Sequence, residues 1–455
     1  MTDNRKFYKT FLKIAIPVAL QSLLQSSFSV VDQIMVGQMG EITIASVGLA
    51  GKFASIYGVL LSSIAAVAGI LIAQYLGRTD DREVGRSFYL SLSLGLGLAA
   101  IFISLCEIIP VPIMSLYTES PEVAAIAGEY LMIVAIGFIP MAGNLLISTY
   151  LRCKEKATVP LVATFFSAVM NSLLNYVLIF GHFGFPRLGV VGAATATVSS
   201  QFVSFLVTLM YLLRFVRKKQ EKLPFGLKMS KEGLKQFISI IAPIFICEFA
   251  WSLGENVYAS IYGRIGTDDC AAMTLISSVI VLFIGMLSGI SQAAGIIAGK
   301  HLGAGDFDRA YKESKRMMLY GFIGSIVLSV LVIAFGRYYV EIFKVSAEVK
   351  NTGYGLLIVF AILAPVKVQN MIVGGGIIRS GGKTKYLLII DLVGTWVFGV
   401  PLGLLTAFVF HLPITQVYFF LTLEECVRLA MSYYVFHSKK WMVRLKSSGE
   451  NSISE

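Results

Sequence analysis

The segment AGILIAQYLGRTD, residues 68–80, returns as AGIIAGKHLGAGD at residues 294–306. At an ungapped offset of 226, Ala68-Gly69-Ile70 meets Ala294-Gly295-Ile296, Leu76-Gly77 meets Leu302-Gly303, and Asp80 meets Asp306. The same register run over residues 14–80 and 240–306 matches 17 of 67 positions, among them Pro17 with Pro243, Gly37 with Gly263 and Gly40 with Gly266. Arg152 and Lys156 recur as Arg379 and Lys383 at offset 227. Self-similarity that keeps its Pro and Gly punctuation in register marks a duplicated fold. Gly69-x3-Ala73-x3-Gly77 and Gly295-x3-Gly299-x3-Gly303 put small residues four apart on one helical face, which lets helices in lipid approach closely, and we read them as packing.

The rest of the chain says what is duplicated. Of 455 residues, 56% are hydrophobic and 14% charged, with mean hydropathy +0.76; soluble domains run at roughly 45–50% and 25%. This excludes a disordered chain, a nucleic-acid module and a soluble enzyme. Twelve apolar stretches, at about 11–36, 43–76, 87–109, 123–151, 157–180, 188–214, 237–262, 271–299, 317–336, 353–378, 386–409 and 414–436, meet the roughly 20 residues that a spanning helix needs. Barrel-type alternation is absent, so the spans should be helices, which satisfy their own backbone groups in lipid.

Six spans separate the copies, so both halves insert in the same orientation, as parallel repeats about an axis along the membrane normal. The expectation is an all-α integral membrane protein with twelve transmembrane helices in two six-helix lobes. The lobes should be residues 1–217 and 237–438, with a charged linker at 218–236 and a tail at 439–455. A substrate is then expected between the lobes near mid-membrane, moved as one lobe rocks against the other.

The net charge of +11 follows topology. With the N-terminus inside, thirty Lys and Arg fall on the cytoplasmic side; the outer loops hold Arg187, Arg264, Arg337, Lys344 and Lys350. The positive-inside rule puts both termini in the cytoplasm and the chain in the plasma (inner) membrane as a multi-pass protein. The first apolar run exceeds a signal-peptide core and contains Pro17, so it is kept as the first span. The five cysteines have no CxxC spacing and imply neither disulfides nor a metal site.

Ionisable residues inside spans are costly and therefore functional candidates. Asp32 follows Gln21, Gln25 and Ser29 at helical spacing, which makes one face of the first span a polar stripe. A carboxylate there is able to take and release a proton or Na⁺; the other reading is an acid reaching the headgroups. Asn171 and Asn175 in the fifth span and Thr197 in the sixth offer oxygens to that carboxyl or to a hard cation. They read equally as glue between helices.

In the second half, Glu248 and Glu255 share a face that passes Trp251, suited to an organic cation through charge and cation–π attraction. Alternatively the two acids are satisfied by Lys367 of the tenth span. Asp391 reads as interfacial, and Glu424, Glu425 and Arg428 as a self-neutralising structural cluster.

Gly382-Lys383-Thr384 resembles the end of a phosphate-binding loop, but the pattern needs glycine where Ile377 stands, so no nucleotide site is implied. An integral-membrane enzyme would need acids or histidines gathered at one interface. Asp80-Asp81 and Asp268-Asp269 lie on opposite sides, and His182, His301, His411 and His437 lie apart, so no enzyme is expected.

Pro17 with Val31-Asp32-Gln33-Ile34-Met35-Val36-Gly37-Gln38-Met39-Gly40, Gly192-Ala193-Ala194-Thr195-Ala196-Thr197, and Gly299-Lys300-His301-Leu302-Gly303-Ala304-Gly305-Asp306 together resemble the multidrug and toxic compound extrusion (MATE) family, over essentially all twelve spans. The resemblance implies an efflux antiporter in which inward H⁺ or Na⁺ drives export of amphipathic, often cationic compounds, with no cofactor. Asp32 then matches the family's first-helix cation acid, and Pro17 the proline where that helix bends on protonation. Asn171, Asn175 and Thr197 match the remaining first-lobe cation positions, where Asn175 replaces an aspartate of many prokaryotic members.

The family's seventh-helix acid falls near Trp251, between Glu248 and Glu255, and its tenth-helix acid near Lys367, a cation in place of an anion. These departures favour H⁺ over Na⁺. Expected partners are small organic substrates and the lipid bilayer, without nucleic acid, and the expected working unit is a monomer. Gln21, Gln25, Glu248, Trp251, Glu255 and Lys367 are the expected substrate contacts. The alternatives are a lipid-linked oligosaccharide flippase of the same superfamily, which should depend on basic residues lining an intramembrane cavity, and a major facilitator transporter.

Overall fold

A computed structural model describes residues 2–219, 231–343 and 345–446. The helices, in chain order, are α1 (Thr2–Gly37), α2 (Glu41–Gly77), α3 (Asp81–Ile108), α4 (Pro110–Ser115), α5 (Pro121–Ile136), α6 (Phe138–Cys153), α7 (Thr158–Phe180), α8 (Val190–Lys219), α9 (Lys231–Ile265), α10 (Thr267–Ala304), α11 (Phe307–Glu341), α12 (Ala347–Asn370), α13 (Lys385–Leu392), α14 (Val400–Leu404), α15 (Ile414–Thr422) and α16 (Glu424–His437). π-helical turns at Met371–Ile378, Val393–Gly399 and Leu405–Val409 carry α12, α13 and α14 onward. No strand occurs among the described residues.

Ten of these helical stretches are long and apolar enough to cross a bilayer, and α5 with α6, bent by 44° at Gly137, makes an eleventh. The twelfth expected span is α15 and α16, which meet at Leu423 and are each shorter than a span. Twelve helices in two halves is therefore the fold.

The duplication is visible in local structure. Asp80 caps α3 by accepting from the backbone N–H of Glu83, and Asp306, its copy, caps α11 by accepting from Arg309. Each cap satisfies one N–H that the first helical turn leaves unpaired.

The chain forms two compact units. One holds Leu20–Ile72 and the helices from Asp80 to the end of α8. Its core is aromatic: Tyr57 is fully buried, stacks on Phe138 with ring centroids 4.3 Å apart, and donates its hydroxyl to the Phe138 carbonyl at 2.8 Å. Pairing the phenol removes the cost of burying its polar end.

The other unit holds α1 as far as Ala19, Ala73–Thr79 and the residues from α9 onward. α2 meets α10 here through the small-residue stripes: a Cβ at Gly77 would overlap the Lys300 carbonyl, and one at Gly303 the Gln74 carbonyl. The segment after α16 binds this crossing. Trp441 is fully buried, the Gln74 amide donates to Ser380 and Val443 carbonyls and accepts from Leu445 N, and Arg78 donates to the Leu445 carbonyl at 2.6 Å. Seating Trp441 requires Gly381, where a Cβ would overlap the Trp441 carbonyl.

Candidate functional site

The sites in the two halves are built from corresponding helices and differ in charge. In the first, Asn175 is fully buried on α7, and its Nδ2 donates to Asp32 Oδ1 on α1 at 2.6 Å and to Asn171 Oδ1 at 3.2 Å. Its Oδ1 is buried with no partner among the described residues. Asp32 itself is half-buried. The three predicted residues Asp32, Asn171 and Asn175 are thus brought together, and their oxygens form a donor set of the kind hard cations take.

Thr197 is half-buried on α8, and Tyr130 lies in electrostatic range of Asp32. Tyr130, on α5, was not singled out from sequence, since one aromatic in an apolar span looks like core. Higher on the stripe, Gln25 is exposed. Gln21 is buried with both ends engaged: its amide donates to Thr164 Oγ1 at 3.0 Å, and Arg152 donates to its oxygen at 2.8 Å. Pro17 is buried inside α1, which runs on as one helix to Gly37.

In the second half a cavity of about 330 Å³ is lined by Glu248, Trp251, Lys367, Arg379, Asp391, Glu425 and Arg428, among others. Three predicted substrate contacts, Glu248, Trp251 and Lys367, share it. Glu255 is exposed and does not line it, although its charge bears on Lys367.

The ion pairs here differ from those expected. Lys367 pairs with Glu425 at 3.3 Å, not with Glu248, which pairs with Arg379 at 3.4 Å. Asp391 is engaged inside the protein: it accepts from the Cys247 thiol at 2.6 Å and faces Arg428 at 3.7 Å. Nor is the α16 cluster self-contained. Arg428 bridges Glu424, at 3.4 Å, to Asp391 and donates to Thr395, Glu424 accepts from the Tyr258 hydroxyl, and Asn370 donates to Glu425 at 2.8 Å. Pairing within the protein is what makes so many charges tolerable in a span.

A duplicated bundle of twelve spans with ionisable groups inside both halves is the architecture of a membrane transporter. The model of the MatE family matches residues 17–177 and 243–405, and the chain belongs to that family. Among relatives, an uncharacterized transporter, YisQ, of Bacillus subtilis (strain 168) is 23% identical over 95% of both chains. A probable multidrug resistance protein NorM of Rhizobium meliloti (strain 1021) is 26% identical over 90% of this chain and 87% of its own. A crystal structure of a MATE transporter in complex with MaL6 shares the fold, with a TM-score of 0.85 at 20% identity over 95% of this chain and 96% of that one.

Proposed function

We propose that this MATE-family transporter exports amphipathic organic compounds carrying a positive charge, by alternating access, in exchange for inward H⁺ or Na⁺. The observation that carries the reading is the 2.6 Å hydrogen bond from buried Asn175 to Asp32. It holds a carboxylate inside the first half beside an acceptor oxygen, Asn175 Oδ1, that has no partner among the described residues. A proton or small cation arriving at Asp32 changes the charge of the site and therefore the hydration it requires, which is how ion binding can be tied to a conformational change.

Asn171 and Thr197 complete the ion site in this reading, and Pro17 is the hinge. Pro17 has no N–H to donate to the Lys13 carbonyl one turn earlier, which weakens α1 at that turn. The lobes proposed are 1–217 and 237–438, joined by 218–236, with both termini cytoplasmic and the monomer as working unit. Absence of charge at Asn175 favours H⁺.

Export of a fluorescent lipophilic cation from proteoliposomes, under an imposed pH gradient or an imposed Na⁺ gradient, tests this. One gradient should drive export, and Asp32→Asn should abolish it while leaving the protein folded; export indifferent to both gradients contradicts the reading.

One observation favours a second reading, a flippase of lipid-linked anions: Lys367, Arg379 and Arg428 all line the second-half cavity. It would gain support from gradient-independent movement of a lipid-linked diphosphate between leaflets.

A further inference from the structure

The repeat provides a comparison inside the molecule. At offsets of 226 and 227, Gln21 falls on Cys247 and Glu248, Thr164 on Asp391, and Arg152 on Arg379. The first copy links these positions through one neutral amide: Gln21 donates to Thr164 and accepts from Arg152. The second makes the same two links, divided between neighbours. Cys247 donates to Asp391 at 2.6 Å, and Arg379 donates to Glu248 at 3.4 Å.

Holding the corresponding helices together therefore does not require carboxylates at these places, since the first copy manages with an amide and a hydroxyl. A carboxylate inside a span is costly unless it has work to do. In the second copy Glu248, Arg379 and Asp391 open onto the cavity.

The Glu248–Arg379 pair is a loose one. It is a single contact at 3.4 Å, the two side chains are 28% and 23% exposed, and Arg379 Nε is buried with no partner among the described residues. A guanidinium prefers two parallel, shorter bonds to a carboxylate, and Glu248 does not supply them. Trp251, one turn beyond Glu248, lines the same cavity and offers an aromatic face to an apolar frame or an amine. The volume of about 330 Å³ is at the small end of ligand pockets, roughly 300–1,000 Å³.

Charge matching then selects the ligand. A molecule with only a cation would pair with Glu248 and strand Arg379; one with only an anion would do the reverse. Either leaves one member of the pair without its partner in a partly enclosed cavity, which is more costly than the original pair. We propose that this cavity binds amphoteric molecules, an amine and an acid on one apolar frame, which enter between Glu248 and Arg379 and pair with both. This adds amphoteric molecules to the cations of the proposed function, as the ligands that this cavity holds most tightly, and rests on that reading.

The test is direct binding to the full-length protein in nanodiscs, with no gradient, using three probes on one frame: 3-(2-naphthyl)alanine, its methyl ester and its N-acetyl form. The amino acid should bind the parent protein at least about tenfold more tightly than either singly charged probe. Arg379→Gln should transfer the preference to the ester, Glu248→Gln should transfer it to the N-acetyl acid, and the exchange E248R/R379E should restore the amino acid.

Equal binding of ester and amino acid by the parent protein overturns the proposal, whether or not the variants fold. So does a preference for the amino acid that survives Arg379→Gln. Probe preference as expected without gradient-driven export would support the binding site and count against ion-coupled export alone.

Discussion

Gly77 and Gly303 occupy the same place in the two repeats, and each seats the other's helix. A Cβ at Gly77 would overlap the carbonyl oxygen of Lys300, and a Cβ at Gly303 that of Gln74. Gln74 and Lys300 are themselves 226 residues apart, so one contact is made twice. Between them, a Cβ at Gly299 would stand 3.1 Å from the Cβ of Ala73, its own repeat partner. The end of α2 and the end of α10 thus cross about a local two-fold axis, at a distance only glycine allows.

That symmetry predicts matched penalties. Gly77→Ala and Gly303→Ala each drive a methyl into a backbone carbonyl, which cannot rotate away, and each should cost about 1–3 kcal/mol. Thermal unfolding in detergent should show similar drops for both. Gly97→Ala, at a helical glycine with open space around it, should leave the midpoint unchanged or slightly raised. Unequal drops at 77 and 303 would mean that the two contacts are not equivalent.

Trp441 should be the anchor of the segment that follows α16. Trp441→Ala removes the largest fully buried side chain, a loss of about 3–5 kcal/mol. It should also expose the chain beyond His437 to limited proteolysis. A variant as protease-resistant as the parent would show that the Gln74 and Arg78 hydrogen bonds hold the segment unaided.

The pairing of Lys367 with Glu425 makes a prediction about charge. Lys367→Met leaves the Glu425 carboxylate, 5% exposed, without its cation. The cost should lie toward the low end of the roughly 3–5 kcal/mol seen for broken buried pairs, because Lys367 is itself partly exposed. Adding Glu425→Gln should recover most of the loss, and a double-mutant cycle on unfolding midpoints measures the coupling.

Asn175→Asp should change ion preference. A second carboxylate at hydrogen-bond distance from Asp32 completes an anionic oxygen pair for a hard cation. Sodium should then raise the unfolding midpoint of the variant by several degrees, since ligand at 100 times its Kd adds about 2.7 kcal/mol. The rise in the parent protein should be smaller.

Much of this was legible in the sequence, and the failures have a common physical cause. The small-residue stripes marked close helix packing without naming the partner, which is each other's helix, and helical spacing put Asp32 on a face that meets Asn175. Periodicity gives the face of a helix; it does not give the neighbour across from it. So the sequence offers Lys367 to satisfy Glu248 and Glu255, whereas the pair it makes is with Glu425 on α16. Tyr130 left no signal against an apolar background. The recurrence of Arg152 as Arg379 was visible, yet its meaning needed the bonds to Gln21 and Glu248.

The central claim is that Asp32 couples an ion to export. The most direct measurement is the reciprocal one: load proteoliposomes with the transported cation, impose no ion gradient, and record ion uptake as the substrate leaves. Uptake of H⁺, or of Na⁺, that rises with the substrate gradient and disappears in Asp32→Asn is the predicted result. Substrate exit with no accompanying ion movement, or ion uptake undiminished in Asp32→Asn, would contradict it.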